Sequence, residues 1–195
     1  MTDQDQRDDR GGAAGPRRSG GRRRLRVPEA ARQSTEAVRE AALGLLERRL
    51  YSRAELARKL RGRGYDAATV DTVLARLGEV GLVDDRHYAE AFLHDRLRFR
   101  PRSRAVLAVE LRRRGVEPED IEQALEALDA ELGVHGDLEL ARALLARRGA
   151  RLARLDPERR RQRAIDLLRR NGFAWDVIHE ALAADTLNEA DRPHD

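Results

Sequence analysis

Leu60-Arg61-Gly62-Arg63-Gly64-Tyr65 is a stretch this chain writes three times. It returns as Leu111-Arg112-Arg113-Arg114-Gly115-Val116 and as Leu168-Arg169-Arg170-Asn171-Gly172-Phe173. The pattern is leucine, three mostly basic or polar residues, glycine, apolar residue. The glycines recur at intervals of 51 and 57 residues. Six residues past each glycine stands a β-branched residue (Val70, Ile121, Ile178), and four further on a leucine (Leu74, Leu125, Leu182). Agreement at all these positions argues for an internal repeat of roughly 50 residues. In each copy a helix ends with basic residues at its negative pole, and glycine takes the left-handed position that stops it. The glycines are therefore expected to be helix stops. The apolar residue packs back, and a new helix begins within a few residues. Asp66 suits the cap of one such helix, and Pro118 with Glu119 and Asp120 the first turn of another.

The chain has 195 residues, enough for a sizeable core or for several small units in a row. It lacks cysteine, which removes disulfides, thiolate metal sites and cysteine nucleophiles and favours a cytoplasmic setting. No run reaches the roughly 20 apolar residues of a membrane helix, and the polar N-terminus has no secretory signal pattern. The net charge is only +4, yet the pI is about 10.2 and the base is almost all arginine, with Lys59 the one lysine. Basic charge of this kind fits a phosphate-bearing partner, although arginine also serves as an ordinary solvated helix residue.

Residues 1–33 carry Gly-Gly and Gly-Pro steps among arginines and no apolar period. They read as a disordered basic arm. Residues 34–83 form the first repeat. Val38, Ala41, Ala42, Leu45 and Leu46 share one helical face, Ser52 and Glu55 have capping-box spacing, and Val70, Val73, Leu74 and Leu77 face inward. Residues 84–132 form the second repeat. Its first helix is capped by Asp84 or Asp85, a role we take over catalysis for this acidic pair, since carboxylates are favoured at a helix start. Arg96, Arg98, Arg100, Arg102 and Arg104 alternate across the following junction, and Ser103 caps the next helix. Residues 133–184 form the third repeat, with Asp137 capping its first helix, a basic connector from Arg147 to Leu155, and Asp156-Pro157-Glu158 opening its second. Residues 185–195 are polar and expected to fray. The fold expected is all-α: an elongated array of three tandem three-helix repeats.

No catalytic constellation stands out. His87, His94, His135, His179 and His194 have no ligand spacing, and no phosphate loop or dinucleotide glycine motif is present. Neither enzyme chemistry nor a cofactor is expected. Tyr51, Tyr65, Tyr88, Phe92, Phe99, Phe173 and Trp175 are too few for a stacking platform and read first as packing residues. What remains is a basic face repeated along an extended array, a surface suited to an extended partner. Helices joined across a glycine also suit a helix-turn-helix protein that binds DNA freely. Asp71 in one third helix, and Glu122 and Glu126 in another, would meet repulsion in a major groove. A protein–protein scaffold with merely solvated arginines is a third reading.

The stretches Leu46-Glu47-Arg48-Arg49-Leu50-Tyr51-Ser52-Arg53-Ala54-Glu55-Leu56-Ala57-Arg58-Lys59-Leu60 and Gly81-Leu82-Val83-Asp84-Asp85-Arg86-His87-Tyr88-Ala89-Glu90-Ala91-Phe92 resemble the RecX regulatory proteins, modulators of the bacterial recombinase RecA. Glu110-Leu111-Arg112-Arg113-Arg114-Gly115-Val116 is similar too, and the likeness runs from about residue 37 to 184. It departs at Arg102-Ser103-Arg104, where many relatives carry glycine in a basic loop. The resemblance implies a cytoplasmic protein that lies along the groove of the RecA–DNA filament and limits filament growth, ATP hydrolysis and strand exchange. RecA itself comes from the likeness alone. The contact residues expected are Arg53, Arg58, Lys59, Arg61 and Arg63 in the first repeat. In the second they are Arg98, Arg100, Arg102, Arg104, Arg112, Arg113 and Arg114. Their role would be nonspecific contact with phosphates and acidic protein surface. A monomer is expected.

Overall fold

The computed structural model describes residues 27–133 and 136–190. Among them the backbone forms nine α-helices and one 3₁₀ turn, Glu29–Ala31, with no strand. The first repeat holds α1 (Thr35–Leu46), α2 (Arg53–Arg61) and α3 (Ala67–Glu79). The second holds α4 (Asp85–Phe99), α5 (Arg104–Arg112) and α6 (Pro118–Leu132). The third holds α7 (Gly136–Leu152), α8 (Pro157–Arg170) and α9 (Trp175–Ala190). In each, the first and third helices pack together and the second packs on the third. None of the described helices is long and apolar enough to cross a membrane.

Side-chain caps start most of these helices. Ser52 Oγ accepts from the Glu55 N–H at 3.1 Å, Asp66 from Thr69 at 3.0 Å, Asp84 from His87 at 2.9 Å and Asp156 from Arg159 at 3.0 Å. Each satisfies a donor the helix leaves without an internal partner. The second helices all end alike. The N–H groups of Tyr65, Val116 and Phe173 reach back to the carbonyls of Leu60, Leu111 and Leu168, and the preceding glycines have φ of 100°, 80° and 86°. That closure is the Schellman pattern, which needs a left-handed residue. The three leucines are fully buried.

Two of these glycines do more than stop a helix. The loop at Gly115 sits on the N-terminus of α2, and a Cβ there would run into the Cβ of Ala54. The loop at Gly172 sits on the N-terminus of α5, where a Cβ would meet Ser103 Oγ at 2.7 Å and collide with the Val106 methyl. Gly64 faces open space. So the second and third repeats each dock their glycine loop on the second helix of the repeat before. Ser52 donates from Oγ to the Arg114 carbonyl at 2.7 Å, and the Ser103 N–H donates to the Asn171 carbonyl at 3.1 Å. Both serines are buried, at 0% and 1% exposure, because each lies inside a junction as well as at a cap.

A second contact also recurs. Asp85, in the first turn of α4, accepts from the Arg53 N–H at 2.7 Å, and Asp137, in the first turn of α7, accepts from the Arg104 N–H at 2.8 Å. Each carboxylate caps the second helix of the preceding repeat across the junction. Asp137 was expected to cap its own helix; instead its carboxylate is spent on α5. Likewise Glu55, expected to complete a capping box, meets the Tyr88 hydroxyl at 3.4 Å and Arg49 at 3.6 Å.

Burial divides the array unequally. Val38, Leu56, Leu60, Val70, Leu74 and their neighbours make one apolar core inside the first repeat. A separate core runs without a break through the second and third, from Tyr88 to Leu182, with Leu107, Leu140 and Ile178 at its heart. The junction between first and second repeats is thus polar and glycine-lined, while the next one is sealed by shared apolar burial.

Three expectations about boundaries change. The segment 147–155 is helix as far as Leu152, so the third repeat spends its extra residues on longer first and second helices. α9 runs on through 185–190, a stretch with no glycine or proline to stop it. The last residues of the arm are attached: the Val27 N–H donates to the Arg63 carbonyl at 3.2 Å and the Asp66 N–H to the Arg32 carbonyl at 2.9 Å. The arm proper, residues 1–26, lies outside the described residues, as do His135 and residues 191–195.

The two carboxylate caps respond oppositely to pH. Burial, then the charges of Asp120 and Asp84, raise the Asp85 pKa above its ordinary value, against the Arg53 hydrogen bond. The folded chain therefore holds the Asp85 proton more tightly than the unfolded chain. The associated stability is full below the ordinary value of 3.8 and is lost as pH rises through the raised folded one. Asp85→Asn keeps an acceptor for Arg53 and does not titrate. Urea unfolding is expected to show the wild type losing ground to this variant as pH rises from acid to neutral. For Asp66, whose pKa the Thr69 backbone hydrogen bond lowers, the sign reverses. Parallel trends for Asp85→Asn and Asp66→Asn would contradict this assignment.

Candidate functional site

The second helices carry basic last turns: Arg58, Lys59 and Arg61 on α2, Arg112 on α5, Arg169 and Arg170 on α8. Cations there face the partial negative charge of the free carbonyls. Because each helix ends at a docked or solvent-facing glycine loop, these charges collect at the turns.

In the first repeat, Arg58, Lys59 and Arg63 stand around an open cleft of about 650 Å³ with Val27, Leu45, Gly62 and Tyr65. Arg58 and Arg63 are exposed and make no ion pair among the described residues. The Lys59 ammonium lies 5.3 Å from the Tyr51 ring centroid, and the Arg49 guanidinium covers the same ring at 3.7 Å. Arg61 pairs with Asp71 at 2.5 Å, with both side chains largely exposed, so this pair is readily given up. Arg53 is set apart at the other end of α2, about 12 Å along the helix axis.

The second repeat splits the remaining expected residues into two kinds. Arg112 and Arg113 are exposed with no ion pair among the described residues, and Arg100 projects just after α4. Arg98 lies over the exposed Phe99 ring at 5.2 Å and accepts, at its carbonyl, a hydrogen bond from Arg147. The others are built into the fold. Glu110 takes Arg96 on one oxygen and Arg102 on the other, both at 2.8 Å. The Arg114 guanidinium donates to the Glu110 carbonyl at 2.8 Å and lies over the Phe92 ring at 4.5 Å, with Arg96 at 4.7 Å from the same ring. Arg104 pairs with Asp129 at 2.8 Å. Arg102, Arg113 and Arg114 rim a shallow cleft of about 580 Å³ floored by Ala105, Val106 and Val109. So Arg113 brings free charge to a surface that Glu110, Arg102 and Arg114 shape.

Sequence reasoning passed over the third repeat. On α8, Arg161, Arg163, Arg169 and Arg170 are exposed. Trp175, read as a packing residue, is 52% exposed, and Phe99 is 53% exposed. The Arg169 guanidinium lies 5.3 Å from the Trp175 ring centroid, and His179 meets the same ring edge-on at 5.4 Å. A signal for this was present in the repeat register. The positions matching Trp175 are Ala67 and Pro118, both exposed, so the repeat places this residue at the surface.

Among the described residues, no three His, Asp or Glu side chains gather in a way that would hold a metal ion. The acids cluster at helix starts, and burial together with Asp84, Glu119 and Glu117 raises the Asp120 pKa there.

Comparison with known proteins gives three family matches in series. The first three-helix domain of RecX matches residues 39–77, the second 84–125 and the third 136–182. A protein named Regulatory protein RecX from Halorhodospira halophila is 41% identical over 154 residues, covering 77% of this chain and 89% of that one. One of the same name from Mycobacterium marinum is 38% identical over 157 residues, covering 80% and 89%. The crystal structure of RecX from Lactobacillus salivarius superposes with a TM-score of 0.65 at 21% identity, over 78% of this chain and 97% of that one. At that identity the likeness speaks for the fold.

Proposed function

The chain belongs to the RecX family of regulatory proteins, and on that footing we propose that it is a non-enzymatic regulator of the recombinase RecA. It binds the RecA–DNA filament in the cytoplasm and limits filament extension, ATP hydrolysis and strand exchange. It needs no cofactor and acts as a monomer. One observation carries the reading. Arg58, Arg63, Arg112 and Arg113 stand exposed at the ends of the second helices of the first two repeats, with no carboxylate partner among the described residues. Charge left unpaired at regular intervals along an array fits a partner whose own charge repeats, as a nucleoprotein filament's does. Phosphates and acidic protein surface would both satisfy it. Lys59, Arg61, Arg98 and Arg100 would add to these contacts and Arg53 would make a separate one at the other end of α2, whereas Arg102, Arg104 and Arg114 support the surface from within.

The test is ATP hydrolysis by RecA of the same organism on single-stranded DNA, with this protein added below stoichiometry. The rate is expected to fall when the protein is a small fraction of the recombinase, because blocking one filament end silences many subunits. No effect, with DNA binding retained, would favour a free DNA-binding protein.

A further inference from the structure

We propose that Trp175, with Arg169 stacked over it, is a base-stacking site for single-stranded nucleic acid on the third repeat. The fold gives this ring no task. It stands at the first residue of α9, half exposed, where the other two repeats use Ala67 and Pro118. An indole at such a place is a large flat face offered to solvent. One guanidinium covers it. Arg169 lies over it at 5.3 Å, and the His179 ring stands perpendicular to it with the centroids 5.4 Å apart.

The helix leading to it supplies the rest of a strand-binding surface. Arg159, Arg163 and Arg170 are exposed and fall on one face of α8, because four and seven residues each bring a helix back to nearly the same angle. They lie about 6 and 10 Å apart along the axis. Arg163 and Arg170 make no ion pair among the described residues, and Arg159 reaches only its neighbour Asp156 at 3.4 Å. A row of guanidinium groups on one face of α8, with Arg169 round the helix from it covering an indole a few residues past the helix end, offers phosphate contacts in series and a stacking face on the same repeat. Base–aromatic stacking tolerates any sequence, since every base has a π-face. A duplex keeps those faces stacked on one another, so the indole selects single strands while the arginines accept either form.

This inference rests on the reading that the chain meets nucleic acid, and needs no recombinase. Trp175 is the only tryptophan in the chain, so its emission reports on this place alone. The full chain would be titrated at low salt with a fluorescently labelled oligothymidylate, following label anisotropy and tryptophan emission together. Emission is expected to quench in step with anisotropy. Inorganic polyphosphate is expected to bind without quenching. Trp175→Ala should lose roughly 5- to 150-fold in single-strand affinity, with duplex and polyphosphate affinity unchanged, and Trp175→Phe should keep most of it. Circular dichroism would verify that each variant is folded. Oligothymidylate binding with silent emission, or wild-type single-strand affinity in Trp175→Ala, overturns the stacking site and leaves the phosphate contacts standing. Quenching by RecA alone, with the oligonucleotide silent, assigns the ring to a protein partner and overturns it as well. Failure of every polyanion to bind overturns this inference and leaves the filament reading resting on acidic protein surface alone.

Discussion

Gly172→Ala is expected to lower the free energy of unfolding by about 2–5 kcal/mol, whereas Gly64→Ala should cost only about 1–2 kcal/mol. Both glycines are left-handed, so both variants carry the backbone strain. Only at Gly172 does the new methyl also strike Ser103 and Val106 of the preceding repeat. That junction lies over the core shared by the second and third repeats, so its strain is felt by the whole cooperative unit. Gly115→Ala is the informative third member. Its methyl strikes Ala54, but the first repeat has a core of its own and can undock without unfolding. Urea titrations followed at Trp175 and by circular dichroism should therefore stay coincident for Gly172→Ala and separate for Gly115→Ala. Equal losses at all three glycines would remove the docking role assigned to these loops.

The same glycines mark where sequence reading stops. The repeat, the caps at Ser52, Asp66 and Asp84, and the buried leucines are legible because each is local: a period, a spacing, a residue type at a helix end. That Gly115 and Gly172 also bear a neighbouring repeat is not local. Nor are the pairings of Glu110 with Arg96 and Arg102, of Arg104 with Asp129, or of Asp137 with the end of α5. These join residues from different elements, and the sequence offers many arginines and many acids of equal suitability. The expected contact set thus mixed exposed charges such as Arg112 and Arg113 with Arg102 and Arg104, which brace the fold. Residue types alone do not separate them, since both kinds sit in arginine-rich runs. Trp175 was misread for another reason. Aromatic character argues for burial on average, and only alignment with Ala67 and Pro118 indicates that this position faces outward.

Affinity for DNA is expected to fall on the order of 10³-fold or more between 50 and 200 mM salt, if roughly six to ten phosphates are neutralised. Arg58, Arg63, Arg112 and Arg113 are free to make such contacts, with Lys59 in the same cleft as the first two. Reversing Arg112 and Arg113 together to glutamate should reduce the slope of log affinity against log salt by about 2, near one unit per lost phosphate contact. It should weaken inhibition of the filament in parallel. Neither side chain supports a neighbour, so the variant should lose only the small charge–dipole term at the end of α5, about 1–2 kcal/mol for two reversals. Arg102→Ala makes the opposite control. It strips one partner from the half-buried Glu110 carboxylate, so its first effect should be on stability. An unchanged salt slope and undiminished inhibition in the double reversal would remove this patch from the interface.

Among thirty-nine basic side chains, the cleft of the first repeat holds the chain's only ε-amine, Lys59. Guanidinium groups ignore the reagents that acylate amines, so a short amine-reactive cross-linker attached through a side chain marks this one cleft. Acetylation would act here and at no other side chain, removing one positive charge beside Arg58 and Arg63. An arginine-dominated surface is thereby nearly silent to lysine chemistry, and the single place that responds is where the arm enters the array.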